Sequence, residues 1–217
     1  MKKIRVLIAE DHTIVRQGLV ALLRSEPDIE VVGEASDGSE AMEMAKKLIP
    51  DLVLMDIAMP NLNGLDATRK IKKLFPHVKV LVLTMYDNEE CIFQILKAGA
   101  SGYLIKDTAM TDLVSAIRAV YQGESYLSPS ISKKVIDEYI RRAVTGEKAD
   151  FSDPLSVRER EILQLIAEGH SVPGVASLLC ISKKTVEAHK THIMEKLNIH
   201  DKAGLIKYAI RTGLTKL

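Results

Sequence analysis

Short apolar runs alternate with segments of helical spacing through the first half of the chain, and only helical spacing follows. Ile4 to Ala9, Asp51 to Met55 and Val78 to Leu83 are nearly unbroken apolar runs, the pattern of strands buried on both faces. Ile29 to Ala35 alternates more and reads as a strand nearer an edge, and Gly102 to Ile105 as a short fifth strand. Between them, Thr13 to Leu23, Ser39 to Leu48, Gly64 to Leu74 and Glu89 to Lys97 carry apolar residues at helical intervals. A fifth helix opens at Thr111, a residue suited to an N-cap, and runs through Val120. Five strands alternating with five helices predict an α/β doubly wound, five-stranded parallel sheet with helices on both faces.

Beyond Gly123 the pattern changes. Ser128-Pro129 interrupts the chain, and Ile131, Val135 and Tyr139 then recur at helical spacing to about Val144. Thr145 to Asp153 has no periodicity and contains Gly146, Lys148 and Asp150, which reads as a linker. Four short helices follow: Ser156 to Glu168, Ser171 to Leu179, Ser182 to Leu197 and Asp201 to Arg211. The expected organisation is an α/β domain over 1–123, a linker with one helix over 124–153, and a small all-α domain over 154–217.

Composition narrows the class only slightly. Hydrophobic residues make up 47% and charged residues 27% of the chain, an ordinary globular balance, and the net charge is +1. The mean hides an asymmetry: residues 1–124 hold 15 Lys/Arg against 18 Asp/Glu, or −3, and residues 152–217 hold 10 against 7, or +3. A basic tail on an acidic head points weakly to nucleic acid. Cys91 and Cys180 make neither a disulfide framework nor a zinc spacing, so a reducing compartment and packing roles are expected for both. The apolar run after Met1-Lys2-Lys3 is too short for a signal peptide, and no run approaches membrane-spanning length. A cytoplasmic protein without membrane contact is expected.

The chemistry gathers at strand ends. Asp56 follows the third strand, and Pro60, Asn63 and Gly64 then break the pattern. Glu10 and Asp11 follow the first strand. In the flavodoxin-like order 2-1-3-4-5 these two strands are neighbours, so their carboxyl ends meet at the switch point. Three carboxylates repel one another, and oxygen-only ligation by carboxylates and water suits Mg²⁺. The plainer reading makes Asp11 a helix cap and leaves Glu10 solvated. Thr84 ends the fourth strand with a hydroxyl, and Lys106 the fifth with an ammonium. Each alone is an ordinary strand-end residue. Together they suit phosphoryl transfer onto a carboxylate, with Asp56 the nucleophile and Thr84 and Lys106 facing the phosphoryl oxygens.

These pieces carry a resemblance. Glu10-Asp11, Asp56 with Met59-Pro60 and Gly64, Thr84, and Gly102-Tyr103 before Lys106 make residues 1–121 resemble the receiver domain of a two-component response regulator. The resemblance implies that Asp56 accepts a phosphoryl group from a sensor histidine kinase. It implies Mg²⁺ held by Asp11, Asp56 and the backbone carbonyl of Ala58, with Glu10 at the same site. It also implies that Thr84 and Tyr103 report the phosphorylated state. Two positions depart from the common receiver pattern. Asp107 stands where many receivers have proline, and Met85 where many have a small residue. The small Ala58 leaves the pocket open to water, so the lifetime of the phosphate is left open.

In the tail, Ser182 to Leu197 is the informative helix. Val186, Ile193 and Leu197 lie on one face with His189 at its margin, and Lys184, Glu187, Ala188, Thr191 and Glu195 lie opposite. Periodicity alone allows an amphipathic surface helix as readily as the second helix of a helix-turn-helix. Leu155-Ser156-Val157-Arg158-Glu159-Arg160-Glu161, Leu165 to Gly169 and Ile181 to His189 make residues 152–217 resemble the LuxR-type DNA-binding domain. The whole chain then resembles the NarL/FixJ class of response regulators. The resemblance implies base-edge contacts from Glu187, Ala188 and Thr191, and phosphate contacts from Lys183, Lys184, Thr185 and Lys190. It implies a dimer contact through the last helix. Ser171-Val172-Pro173-Gly174 lacks the capping-box Glu usual in the family, so the first helix of the motif is expected to be weak.

The leading expectation is a phosphorylation-controlled transcriptional regulator whose partners are a sensor histidine kinase, double-stranded DNA, a second copy when phosphorylated, and RNA polymerase. It is expected not to be an enzyme beyond slow self-dephosphorylation. Two other classes compete: a phosphate-independent DNA-binding regulator with a vestigial receiver, and an aspartyl-phosphate phosphohydrolase of the haloacid dehalogenase type. The second needs an acid/base Asp two residues after its nucleophile, where this chain has Ala58.

Overall fold

The computed structural model describes residues 2–145 and 154–215. The chain divides into two compact units, Met1–Phe151 and Ser152–Leu217. The expected linker residues Gly146, Lys148 and Asp150 lie outside the described residues.

The first unit is built in the order β1 (Ile4–Ala9), α1 (Thr13–Arg24), β2 (Ile29–Ala35), α2 (Gly38–Leu48), β3 (Leu52–Met55), α3 (Gly64–Leu74), β4 (Lys79–Thr84), α4 (Glu89–Lys97), β5 (Gly102–Ile105), α5 (Ala109–Gln122), β6 (Tyr126–Leu127) and α6 (Pro129–Thr145). All strands pair parallel, in the order β2-β1-β3-β4-β5-β6. The five expected strands keep the order 2-1-3-4-5. The sixth is an addition. Tyr126 and Leu127 pair with Gly102 and Tyr103, covering an edge that β5 would otherwise present. Two residues carry too little pattern to be seen in the sequence.

The apolar runs of β1, β3 and β4 are buried because both faces are covered. Leu7, Val53 and Val80 pack with Ala41, Ala45, Ile71, Ile92 and Ile95 from α2, α3 and α4. Ile8, Leu54 and Leu81 pack on the other face with Leu23, Ile117 and Val120 from α1 and α5. Each fully buried Leu or Ile contributes about 1.5–3 kcal/mol relative to exposure.

Local signals set the ends. Asp37, Asn63 and Asn88 accept from the backbone N–H three residues on and start α2, α3 and α4. Thr111 does not start α5. That helix begins at Ala109, directly after a 3₁₀ turn over Lys106–Thr108. Ser128 N–H donates to the Tyr103 carbonyl at 3.0 Å. Ile131 is buried in the core against α4, and Lys134 on α6 pairs with Asp87 on the loop before α4.

The second unit holds α7 (Val157–Ala167), α8 (Val172–Leu178), α9 (Lys183–Leu197) and α10 (Lys202–Arg211). Ile162, Leu163, Val175, Val186, Ile193, Leu205 and Ala209 form its core. Leu205 and Ala209 of α10 are spent there, while Ile206 and Tyr208 stay half-buried. Helix α8 forms without a capping-box Glu: Ser171 Oγ accepts from the Gly174 N–H at 3.3 Å. It is short, as expected of a helix with Pro173 and Gly174 in its first turn.

Candidate functional site

Four strand ends build the pocket. Asp56 lies one residue past β3, and its N–H donates to the Ala9 carbonyl at 2.9 Å, fixing it beside the end of β1. Beyond it the chain turns sharply. Gly64 N–H donates to the Ile57 carbonyl at 2.7 Å, and a Cβ on Gly64 would lie 1.9 Å from the Asp56 carbonyl oxygen. Only glycine allows this close approach. Ala58, Met59 and Leu62 of the same loop are buried.

Asp56 is 5% exposed and Glu10 is 1% exposed. Lys106 Nζ reaches across from the far side of β4. It donates to Asp56 Oδ2 at 2.9 Å and lies 2.7 Å from Glu10 Oε2. His12 Nδ1 lies 3.1 Å from Glu10 Oε1 and 3.2 Å from Asp11 Oδ1. One ligand atom each from Glu10, Asp11, His12 and Asp56 can be chosen so that all lie within 4.8 Å of one another. The cap reading of Asp11 fails: His12 occupies the N-cap position of α1, with no side-chain cap bond.

Burial pushes the Asp56 carboxyl above its usual range. Lys106 opposes this, and the Glu10 charge adds to it. Burial pulls Lys106 down, but Asp56 and Glu10 together outweigh it, so the ammonium is held more firmly than usual. Glu10, Asp11 and Asp56 thus gather carboxylate oxygens around Lys106. Such oxygens are the hard donors that Mg²⁺ prefers. Glu10, Asp11 and Asp56 therefore fit such an ion.

Thr84 and Tyr103 are both fully buried. Register sets Thr84 beside Ile105 and Tyr103 beside Val82. They meet at a residue that sequence reasoning passed over. The Tyr86 N–H donates to Thr84 Oγ1 at 3.4 Å, and Tyr103 Oη donates to the Tyr86 carbonyl at 2.8 Å. Burial raises the Tyr86 phenol, and the charge of Asp56 adds to the shift. Burial also pushes Tyr103 up, and pushes the neighbouring Cys91 thiol up to about 12. Cys91 is thus an inert packing thiol. Cys180 is exposed, which corrects the expectation that both cysteines pack. Met85 is also largely exposed.

The second candidate surface is α9. Ser182 caps it, accepting from the Thr185 N–H at 3.0 Å, and Lys183 and Lys184 follow at its exposed amino end. Val186 and Ile193 are buried, and Leu197 and His189 are half-buried. Glu187, Ala188 and Thr191 are exposed, while Thr185 and Lys190 are half-buried. Lys190 Nζ lies 3.6 Å from Glu187 Oε2. The turn from α8 runs through Cys180 with φ 52°, and Ile181 N–H closes it on the Ala176 carbonyl at 3.0 Å. Arg158 of α7 donates to the Leu179 carbonyl at 2.9 Å, bracing the same turn. Lys196 of α9 donates to the buried Glu159 at 2.6 Å, and Glu159 closes a capping box with Ser156. These contacts fix α9 on α7 and leave its outer face open to solvent.

Comparison with known proteins agrees with both halves. Residues 6–118 match the response regulator receiver domain, and residues 153–209 match the luxR family of bacterial regulatory proteins. The oxygen regulatory protein NreC of Staphylococcus epidermidis is 44% identical over 214 residues, covering 97% of this chain and 98% of that one. NreC of Staphylococcus carnosus is 44% identical over 215 residues, with the same coverage. Among solved structures, RcsB of Salmonella typhimurium matches with TM-score 0.67 and 29% identity over 98% of this chain and 99% of that one. ChrA, from a heme-sensing two-component system, matches with TM-score 0.53 and 37% identity over 99% and 100%. A structure of two RcsB dimers bound to two parallel DNAs matches with TM-score 0.60 and 30% identity over 97% and 99%. With a receiver domain followed by a LuxR-type helix-turn-helix domain, the chain belongs to the two-component response regulators of the NarL/FixJ class.

Proposed function

We propose that Asp56 is the phosphoacceptor of this response regulator and that its phosphorylation by a sensor histidine kinase, with Mg²⁺, controls promoter binding by α9. The observation that carries the reading is the pocket itself: Asp56 is buried, held by Lys106 at 2.9 Å, and shares its site with Glu10 and Asp11. An Asp56 carboxylate oxygen attacks phosphorus, the P–N bond of the kinase phosphohistidine breaks, and an acyl phosphate forms. Lys106 is placed to turn from the carboxylate to a phosphoryl oxygen, and Thr84 supplies a hydroxyl on the neighbouring strand end. Asp11, Asp56 and the Ala58 carbonyl would hold Mg²⁺, with Glu10 behind them. Bound Mg²⁺ supplies positive charge against the carboxylates and the phosphoryl oxygens.

The route outward begins at Thr84. A shift of its hydroxyl toward the phosphoryl group breaks its contact with Tyr86, whose carbonyl accepts from Tyr103. The receiver domain, expected over 1–123 with a linker over 124–153, thereby signals to the helix-turn-helix domain over 154–217. On DNA, Lys183, Lys184, Thr185 and Lys190 contact phosphates. Glu187, Ala188 and Thr191 read base edges: Glu187 accepts from a cytosine amino group, and the methyls of Ala188 and Thr191 meet thymine. Phosphorylated copies pair on two half-sites, where RNA polymerase is the further partner.

The reading implies a cytoplasmic protein that is not an enzyme beyond slow loss of its own phosphate. Among the described residues no helix is long and apolar enough to cross a membrane. The test is transfer of labelled phosphate from a histidine kinase or a small acyl phosphate to the full chain. Label is expected on the wild type with Mg²⁺, and neither with chelator nor on Asp56→Asn. Label retained on Asp56→Asn would overturn the assignment.

A further inference from the structure

The acidic loop brings its carboxylates together at the pocket, while its backbone carbonyls are held by a separate side chain. Glu10 stands one residue beyond the last rung of the β1 ladder, and its N–H still reaches the Ala35 carbonyl of β2 at 3.0 Å. Its own carbonyl accepts from a side chain. Arg16, one turn into α1, takes that carbonyl: Nη1 donates to the Glu10 oxygen at 2.6 Å and reaches the Asp11 oxygen at 3.5 Å. The guanidinium is itself anchored. Its Nε lies 3.4 Å from Glu34 on β2, and Gln17 donates to the same Glu34 carboxylate at 2.9 Å. The Arg16 side chain is 15% exposed.

We infer that Arg16 is a positioning residue for the cation site: through the Glu10 and Asp11 carbonyls it holds the acidic loop with its carboxylates turned into the pocket. The inference rests on the reading of Glu10, Asp11 and Asp56 as the Mg²⁺ site. Its physical basis is the planar guanidinium, which can serve two carbonyls and a carboxylate at once in a fixed plane, as a lysine cannot. Groups that orient ligands from outside a metal site typically change affinity tenfold or more when removed.

The sign of the effect separates this role from a simple charge effect. A cation beneath the loop repels Mg²⁺, so deleting a mere charge tightens Mg²⁺ binding. Deleting a positioning group weakens it. Mg²⁺ titrations of the isotopically labelled full chain, followed by the Asp11 and Asp56 backbone amides in NMR spectra, read the dissociation constant directly. For Arg16→Ala the constant is expected to rise about tenfold, with phosphate incorporation restored at saturating Mg²⁺. Arg16→Gln keeps one donor and loses the charge, so it is expected to fall between wild type and Arg16→Ala. It carries the test if Arg16→Ala does not fold. An unchanged or lower constant in the folded variants, including one accompanied by a lowered melting temperature, overturns the positioning role while leaving the pocket intact. If the wild type itself shows no Mg²⁺ response at Asp11 and Asp56, the pocket reading fails, and the role of Arg16 with it.

Discussion

The pocket around Asp56 and the outer face of α9 are assembled in opposite ways. The pocket draws Glu10, Asp56, Thr84 and Lys106 from four different strand ends, with the first three buried and Lys106 half-buried, so it exists only when the whole parallel sheet is in register. The α9 face comes from one continuous helix. Lys183, Lys184, Glu187, Ala188 and Thr191 stay exposed whatever their neighbours do, provided Val186 and Ile193 are seated. One region concentrates charge where water is scarce and sets its chemistry by burial. The other spreads charge in water and needs only a rigid platform. No single residue belongs to both.

The largest effect should come from unseating the platform. Ile193 is fully buried in the second unit. Ile193→Ala is expected to cost that unit about 3 kcal/mol, seen as a lower melting transition of the helical unit and lost DNA binding. Phosphate incorporation at Asp56 should survive. If both activities fell together, the two regions would not be as separable as their construction implies.

Next is the pocket's own cation. Lys106→Met leaves three carboxylates facing one another. Allowing for the partly exposed Lys106 side chain, destabilisation of about 2 kcal/mol is expected by thermal or urea unfolding. Added Mg²⁺ should recover part of the loss in the variant. An equal response to Mg²⁺ in a chain that also lacks Asp11 would remove the ion from the explanation.

A pH titration probes the ion pair that fixes α9. Burial alone would raise the Glu159 carboxyl. The Lys196 ammonium and the Ser156 hydrogen bonds overcome it and bring the carboxyl down to about 2 from its ordinary 4.5. A carboxyl lowered by folding adds stability above its unfolded value, and that stability is lost as pH falls from about 4.5 toward 2. The helical unit's melting temperature should fall over that window, and Lys196→Met should flatten the fall. Asp56 is raised by folding, so its ionisation works the opposite way, weakening the first unit as pH rises.

The smallest effect is a gain. Gly174 lies in the first turn of α8, and a Cβ there would meet nothing closer than Ser171 Oγ at 3.5 Å. Gly174→Ala is expected to add about 0.5–1 kcal/mol to the helical unit, measured by calorimetry on the full chain. A loss would mean that α8 needs the glycine for something other than its backbone freedom.

The same contrast explains what the sequence made legible. Apolar runs and turn residues placed β1, β2, β5, α3 and α4 at their observed bounds, because period and punctuation are local. The meeting of Glu10, Asp11, Asp56 and Lys106 was reachable too, since strand order alone brings those ends together. What stayed hidden depends on side-chain reach or on segments too short to show a period. Lys106 binds Glu10 as well as Asp56 because a long flexible stem spans β4. Tyr86 joins Thr84 to Tyr103 through its backbone, which no residue type announces. Strand β6 is two residues long, and Cys180 is exposed at the α8–α9 turn, a position that residue type alone does not reveal.

The central claim is control of the α9 face by the state of Asp56. The most direct measurement is the affinity of the full chain for promoter DNA at fixed salt, with and without Mg²⁺ and a small acyl phosphate, for wild type and Asp56→Asn. Wild-type affinity should rise on treatment, while that of Asp56→Asn stays at its untreated value. An equal rise in Asp56→Asn, or no rise in a wild-type sample shown to carry phosphate at Asp56, would contradict it.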